Sequence, residues 1–205
     1  MKTIYFIRHL KPKGSLGNHE TLSFNTFCEL AAGKIDPDID YRSYPTLEKF
    51  LYRQGLKNLS YIFNSPSKRT TQTAAIMAKK YSLNQKSLVK TSYLKEVGFN
   101  PKVLITPDVW EIYGMNGLRT RVYKSILTGN GAESIHSIYG RIKNLEQLFF
   151  SLQGKEIVSV THAFLMRFLE VYFVKGKKDF NSISFKDVSK ATIYSYGEGF
   201  KTEIF

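Results

Sequence analysis

The sequence predicts an α/β protein in which a mostly parallel central sheet lies between two layers of helices. Short apolar or β-branched runs predict strands, and segments with apolar residues at helical spacing alternate with them along the chain. The chain has 205 residues, of which 42% are hydrophobic, enough to bury a core. We therefore predict one domain that spans residues 1–205.

The first half of the chain contains two predicted strands and two predicted helices. Residues 4–7 form a buried strand, and residues 11–45, rich in Gly, Pro, Asp and Ser, predict a long loop with short helical pieces. Residues 46–54 have apolar residues at helical spacing and end before Gly55, a typical residue at a helix end. Residues 61–63 are a second strand, followed by a helix whose apolar face runs over residues 70–81.

The second half continues the alternation after a segment of weaker order at residues 97–130. A long amphipathic stripe at residues 135–152 predicts a helix, and residues 157–161 are β-branched, as expected of a buried strand. Residues 163–174 are apolar on nearly all sides, which is typical of a buried helix. Residues 192–196 are predicted to be the final strand.

Composition narrows the class of protein. The formal net charge of +13 favours anionic partners, but no block of five basic residues and no basic stripe points to a nucleic acid. No apolar stretch approaches the roughly 20 residues of a membrane helix. Cys28 is the only cysteine, which excludes internal disulfides and cysteine-based zinc clusters. We expect a cytoplasmic protein with no membrane partner, and the sequence does not indicate its oligomeric state.

Three predicted strands end in residues suited to binding phosphate. Arg8 and His9 follow the first strand, Ser65 and then Arg69 follow the second, and His162 follows the third. Because the carboxyl ends of parallel strands meet at one edge of a sheet, these side chains are expected to converge there. Arginines are strong ligands for phosphate, and a neutral imidazole is a good nucleophile.

These blocks resemble the signature of the histidine phosphatase superfamily, also called the phosphoglycerate mutase-like family. The resemblance runs in order from residue 4 to about residue 170 and implies a phosphoglycerate mutase-like fold. It is carried by Arg8-His9, the block Ser65-Pro66-Ser67-Lys68-Arg69-Thr70-Thr71-Gln72-Thr73-Ala74, Leu94-Lys95-Glu96, Gly131-Ala132-Glu133-Ser134 with Arg141 after it, and Thr161-His162.

The resemblance implies a role for each of five residues. His9 would attack phosphorus and form a phosphohistidine. Arg8, Arg69 and His162 would line the phosphate pocket and stabilise charge on the transferring oxygens. Glu96 would protonate the leaving alkoxide and then activate water. The resemblance implies no cofactor, and the sequence offers no obvious carboxylate cluster for a metal ion.

Four positions in or near these blocks either differ from the family pattern or allow more than one assignment. Leu10 stands where the family has a glycine, and we expect its side chain to add bulk beside the pocket. Ala163 replaces another glycine but keeps a backbone N–H available to phosphate. Asn18 is a possible equivalent of an asparagine that many members carry after the first block. Glu133 is a second candidate for the acid, although its place at a helix start also fits a structural role.

The resemblance further implies that residues 97–130 form a cap over the pocket. We hypothesise that Arg119 or Arg121 binds a second anionic group of the substrate, a solvated helix face being the alternative. The predicted function is a metal-independent phosphatase for a small phosphate monoester. Two alternatives stay open: a phosphoglycerate mutase-type phosphotransferase, and a phosphate-binding protein whose pocket is compromised by Leu10.

Overall fold

The centre of the molecule is a five-stranded sheet. The structure is a computed structural model that describes residues 1–17 and 22–205, without the side chain of Ser15. Its strands are β1 (Lys2–Arg8), β2 (Leu59–Asn64), β3 (Leu88–Lys90), β4 (Glu156–Thr161) and β5 (Gly199–Ile204). They lie in the order β3-β2-β4-β1-β5, and only β5 is antiparallel to its neighbour. The predicted α/β class with a mostly parallel sheet is confirmed.

The described residues form eight α-helices. They are α1 (Phe24–Ala31), α2 (Tyr44–Gln54), α3 (Lys68–Lys80), α4 (Pro101–Leu104), α5 (Pro107–Thr128), α6 (Ile135–Ser151), α7 (Ala163–Leu169) and α8 (Phe185–Ser189). A π-helical turn, Glu170–Val174, continues α7. Within residues 1–17 and 22–205, no helix has the length and apolar character needed to cross a membrane.

Alternating side chains of the strands bury both faces of the sheet. In β1, Ile4 and Phe6 belong to one core, which α6 and α7 cover, whereas Tyr5 and Ile7 belong to a second core, which α2 and α3 cover. Successive residues of a strand point to opposite faces, so a strand buried on both sides is continuously apolar. The result is three layers, with helices above and below the sheet.

The segment at residues 97–130 is more regular than the sequence predicts. It contains α4 and the 22-residue helix α5. Gly114, at φ 48° and ψ −136°, kinks α5 and so changes the direction of its two halves. A kink of this kind prevents one apolar stripe from running along the whole helix, which explains the weak periodicity of the segment.

The predicted final strand at residues 192–196 is wrong. That stretch is irregular, because Thr192 and Tyr194 bind the Glu170 carboxylate instead of a neighbouring strand: the backbone N–H of Thr192 donates to Oε2 at 3.0 Å and the Tyr194 hydroxyl to the same atom at 3.0 Å. A turn at Gly197, with φ 76°, then leads the chain into β5.

The topology puts three strand ends side by side. β2, β4 and β1 are neighbours and run parallel, so Asn64, Thr161 and Arg8 end at the same edge of the sheet. Backbone hydrogen bonds continue beyond these ends, since the N–H of His9 donates to Thr161 O at 3.0 Å and that of Ser65 to Val160 O at 3.1 Å. The residues that follow each strand are therefore held close to one another.

Candidate active site

A cavity of about 190 Å³ opens at this edge of the sheet. It combines a polar region, to which the three strand ends contribute, with an apolar wall from α1, α5 and α7. Five residues assigned to the site from the sequence are brought together in its lining, namely Arg8, His9, Arg69, Glu96 and His162.

His9 is oriented by the backbone on either side of it. Its Nδ1 donates a hydrogen bond to the carbonyl oxygen of Leu10 at 2.7 Å, because a carbonyl can only accept. In a neutral imidazole, Nε2 then carries the free lone pair. The side chain is only 5% exposed, so rotation of the ring is restricted. Nε2 is therefore the basic nitrogen of the neutral ring.

The surroundings of His9 keep its ring neutral. Burial lowers the pKa of His9 well below its ordinary value, and electrostatic interactions with His162, Arg69 and Arg8 lower that pKa further. The Leu10 carbonyl acts in the opposite direction but does not reverse the shift. Near neutral pH, His9 is thus an unprotonated base beside two guanidinium groups.

The Leu10 side chain does not enter the cavity, contrary to the expectation from its replacement of a glycine. It is fully buried in the core on the α2–α3 side of the sheet, and its backbone N–H donates to Thr73 Oγ1 at 3.1 Å. A β-carbon added at Gly197 would lie 3.3 Å from Leu10 Cδ2 and 3.0 Å from Leu47 N. The side chain therefore packs between α2 and the turn before β5, where it takes no room from the pocket.

Arg8 presents a buried donor without an acceptor. Its guanidinium lies over the ring of Tyr196, 3.7 Å from the centroid, and its Nη1 donates to Tyr194 O at 2.9 Å. Its Nε is buried and has no hydrogen-bond partner among the described residues. An unsatisfied buried donor is costly, by about 1–3 kcal/mol, so this atom suits an anionic acceptor.

His162 occupies the N-cap of α7, directly after β4. Its ring is edge-on to that of His9, with the centroids 5.1 Å apart. A hydrogen bond of 2.9 Å joins Nε2 to Ser65 Oγ, and Ser67 Oγ lies 3.4 Å from the same nitrogen. Burial lowers the pKa of His162 well below its ordinary value, and the charges of Arg69 and Arg8 add to this effect.

Arg69 reaches the cavity from the first turn of α3, a helix capped by Ser67. Its Nη1 forms an ion pair of 3.1 Å with Asp36 Oδ1, and its side chain is 15% exposed. The Arg69 carbonyl accepts a hydrogen bond from Thr73 Oγ1 at 2.8 Å. Because Thr73 also binds the backbone of Leu10, α3 is tied to the loop that carries His9.

Glu96 contributes an acid to the cavity wall. Its Oε1 accepts hydrogen bonds from the backbone N–H groups of Val97 and Leu165, both at 3.0 Å, and its Oε2 accepts from Phe164 N at 3.3 Å. Burial raises the pKa of Glu96, and these three backbone bonds and the charge of Arg8 oppose the rise. The carboxyl group is thus fixed in place and has a greater proton affinity than an exposed glutamate.

Glu133, the other candidate acid, lies outside the residues that line the cavity. Arg141 binds it through two hydrogen bonds, Nε to Oε1 at 2.8 Å and Nη2 to Oε2 at 2.7 Å. Arg141 Nη1 also donates to the carbonyl oxygens of Tyr93 and Lys95, at 3.0 and 2.9 Å. The pair therefore braces the segment that carries Glu96.

The remaining predicted residues divide into three groups. Ala163 and Arg119 line the cavity. Arg121 does not line the cavity. It is exposed, and its Nη1 donates to Leu104 O at 3.0 Å. Because Arg121 lies two residues after Arg119 on the same helix, its side chain points to a different face. Asn18 lies outside the described residues.

Sequence reasoning missed several lining residues. Arg167 projects from α7 and is 5% exposed, and Tyr123, Tyr194 and Tyr196 also line the cavity. One signal was present in the sequence, since Arg167 is the only basic residue within the apolar stretch 163–174. A charged residue there is buried, and buried charges usually serve a site or a specific contact.

The sequence of the chain matches a family model over residues 4–203, that of the histidine phosphatase superfamily (branch 1). The chain belongs to the histidine phosphatase superfamily. A comparison with curated protein sequences gives no match. Membership supports a hydrolase of the histidine phosphatase type and agrees with the order of the residue blocks along the chain.

Solved structures share the fold of this chain at low sequence identity. YhfR of Bacillus stearothermophilus is 15% identical, with a TM-score of 0.67, over 100% of this chain and 92% of that chain. The mycobacterial glucosyl-3-phosphoglycerate phosphatase in complex with VO3 is 14% identical, with a TM-score of 0.67, over 98% and 90%. Phosphoglycerate mutase of Bacillus anthracis is 16% identical, with a TM-score of 0.56, over 96% and 93%.

Proposed function

We propose that this histidine phosphatase hydrolyses a small phosphate monoester without a metal ion, through a phosphohistidine on His9. The observation that carries the proposal is the hydrogen bond from His9 Nδ1 to the Leu10 carbonyl, which makes Nε2 the nucleophilic nitrogen of a buried, neutral ring. Arg8 and Arg69 line the same cavity and supply positive charge for phosphate.

In the first step, the Nε2 lone pair of His9 attacks phosphorus and forms a P–N bond. The bond between phosphorus and the ester oxygen breaks, and Glu96 gives its proton to the departing alkoxide. Arg8, Arg69 and His162 act as donors to the three non-bridging oxygens, on which charge is spread in the transition state.

In the second step, a water molecule displaces His9 from phosphorus. The Glu96 carboxylate, left unprotonated by the first step, takes a proton from a water molecule, and the water oxygen attacks phosphorus. The P–N bond breaks, inorganic phosphate leaves, and the electron pair returns to His9 Nε2. Glu96 is protonated again, so the site is restored without an external acid or base.

Two features of the chain favour turnover over mere phosphate binding. The Leu10 side chain lies in the core, so it does not narrow the cavity. The proton affinity of Glu96 is raised by burial, as a general acid requires. A fold relative, by its name, is a phosphatase of glucosyl-3-phosphoglycerate, which is a phosphate ester.

The proposal is tested with an aryl phosphate in the presence of a chelator, on the wild type and on His9→Ala. Turnover should persist with the chelator and fall at least about a thousandfold in His9→Ala. His136→Ala is the matched control, because His136 is exposed and does not line the cavity. Loss of wild-type turnover on chelation, or near-normal turnover in His9→Ala, would contradict the proposal.

The same assay separates the two alternatives. A mutase-type phosphotransferase would transfer phosphate to an added phosphorylated acceptor faster than to water. A phosphate-binding protein would bind inorganic phosphate and release no aryl alcohol. The proposed phosphatase releases the alcohol and inorganic phosphate in equal amounts.

A further inference from the structure

Two arginines line the cavity in addition to the pair assigned to phosphate. Arg119 projects from α5, after the kink at Gly114, and Arg167 projects from α7. They come from different elements of the fold but contribute to the same wall. The mechanism proposed above uses neither of them.

Neither guanidinium is neutralised by a carboxylate in the part of the chain that the structure describes. Arg167 Nη1 donates to the carbonyl oxygens of Val188 and Ser189, at 3.0 and 3.3 Å. Arg119 Nη1 donates to the neutral Asn116 Oδ1 at 3.3 Å. Arg69, in contrast, has an ion pair with Asp36. Two cations without an ion-pair partner among the described residues therefore face one cavity.

The charges of these arginines interact with each other and with the phosphate end of the cavity. Burial lowers the pKa of Arg167 and the charge of Arg119 lowers it further, while Tyr123 and Glu170 act in the opposite direction. The charge of Arg119 also lowers the pKa of Arg8, in which burial is the main cause. Like charges that line one cavity destabilise one another, and an anion bound between them reduces that cost.

The wall next to the two arginines is apolar and aromatic. The rings of Phe99 and Tyr123 meet that of Phe164 edge-on, with centroids 5.3 and 5.6 Å apart, and the guanidinium carbon of Arg167 lies 5.1 Å from the centroid of Tyr123. A surface of this kind excludes water and so strengthens interactions between charges. It also offers contact to the carbon framework of a ligand.

From this arrangement we infer that Arg119 and Arg167 form a second anion subsite, so that the preferred substrate is a phosphate monoester with a second negatively charged group on an apolar framework. The inference rests on the proposed function for the position of the phosphate, beside His9. Arg167 is held by the end of α8 and by the Tyr123 ring, and Arg119 closes the subsite from α5.

The test compares aryl phosphates of similar size and shape, with and without the second charge. These are 3- and 4-carboxyphenyl phosphate, each paired with its uncharged carbamoylphenyl counterpart. The wild type should favour the carboxylates by about tenfold or more in kcat/KM, a factor worth about 1.4 kcal/mol. In Arg119→Gln the preference should fall towards one. Arg121→Gln, two residues away and outside the cavity, is the control and should keep the wild-type preference.

Arg167 is tested by a pair of variants, because truncation of a buried arginine can unfold the protein. Arg167→Lys keeps the positive charge and should retain part of the preference for the carboxylates. Arg167→Met removes the charge and should lose most of that preference. Thermal unfolding of both variants shows whether they fold. Equal kcat/KM for charged and uncharged substrates in the wild type would overturn the inference, as would an unchanged preference in Arg119→Gln.

Failure of the proposed function gives a different result. If the wild type hydrolyses none of the four compounds, the phosphatase proposal fails. Equilibrium binding of the same compounds then tests whether Arg119 and Arg167 form an anion subsite. Tighter binding of the carboxylates to the wild type, lost in Arg119→Gln, would support it. Equal binding of charged and uncharged compounds would overturn it.

Discussion

At the scale of single residues, the site depends on two buried histidines that stay neutral. Burial lowers the pKa of both His9 and His162 well below the ordinary value of histidine. Below about pH 6.5 the unfolded chain therefore binds protons that the folded chain excludes. The free energy of unfolding consequently decreases as the pH decreases. The limiting slope is about 1.4 kcal/mol per pH unit for each histidine.

This dependence is measurable by urea unfolding between about pH 5.5 and 6.5, where ordinary histidines titrate. We expect the free energy of unfolding of the wild type to fall as the pH decreases through this range. In His9→Asn, which has no titratable ring, the slope should be smaller. The same slope in both proteins would mean that His9 is charged in the folded state.

Glu96 should show the behaviour of a general acid. Glu96→Gln keeps the size of the side chain but cannot donate a proton, so hydrolysis of alkyl phosphates should fall by about 10²–10⁴-fold. Aryl phosphates with acidic leaving groups need less protonation and should be affected less. Equal losses for both classes of substrate, in steady-state kcat/KM, would assign Glu96 a structural role only.

At the scale of elements, Arg141 and Glu133 tie the segment that carries Glu96, the proposed acid, to α6. Arg141 on α6 binds Glu133 and the carbonyl oxygens of Tyr93 and Lys95, and the Glu133 carboxylate in turn accepts from Gly98 N at 3.3 Å. The residues on either side of Glu96 are thereby tied to α6. Arg141 does not line the cavity, so we propose that it acts only by positioning Glu96.

Arg141→Lys should therefore reproduce part of the Glu96→Gln phenotype. A lysine cannot make the forked contact with Glu133, so the acid should be held less well. Alkyl phosphates should lose more kcat/KM than aryl phosphates do, a difference that a general loss of stability would not produce. The control is Arg53→Lys, in an exposed ion pair with Glu198 at 3.4 Å, and it should leave both rates unchanged.

The elements also show how far sequence reasoning reaches. Short apolar runs predict the strands that precede His9, Arg69 and His162. Because parallel strands end at one edge of a sheet, these three residues are expected to converge. Arg167 is harder to place, because the apolar pattern of its helix does not show in which direction a charged side chain points. The stretch 192–196 alternates like a strand but makes side-chain contacts to a buried glutamate, a tertiary effect that local pattern does not carry.

At the scale of the whole molecule, one sheet joins the two cores and carries the candidate site at its edge. We propose that residues 1–205 form a single domain, with residues 97–130 as the cap. Calorimetry should then show one transition whose calorimetric and van't Hoff enthalpies agree. The φ of 48° at Gly114 strains any other residue, so Gly114→Ala should destabilise α5. A separate transition at lower temperature, and a shift of that transition only in Gly114→Ala, would indicate that α5 unfolds independently.

The phosphohistidine intermediate is tested by trapping phosphate on His9. A rapid acid-free quench during turnover of an aryl phosphate, followed by peptide mass spectrometry, should find one acid-labile phosphoryl group on the peptide that contains His9. The group should be absent from His9→Ala and should accumulate in Glu96→Gln, where water is not activated. Turnover with no phosphate on His9, or with phosphate on another residue, would rule out a phosphohistidine on His9.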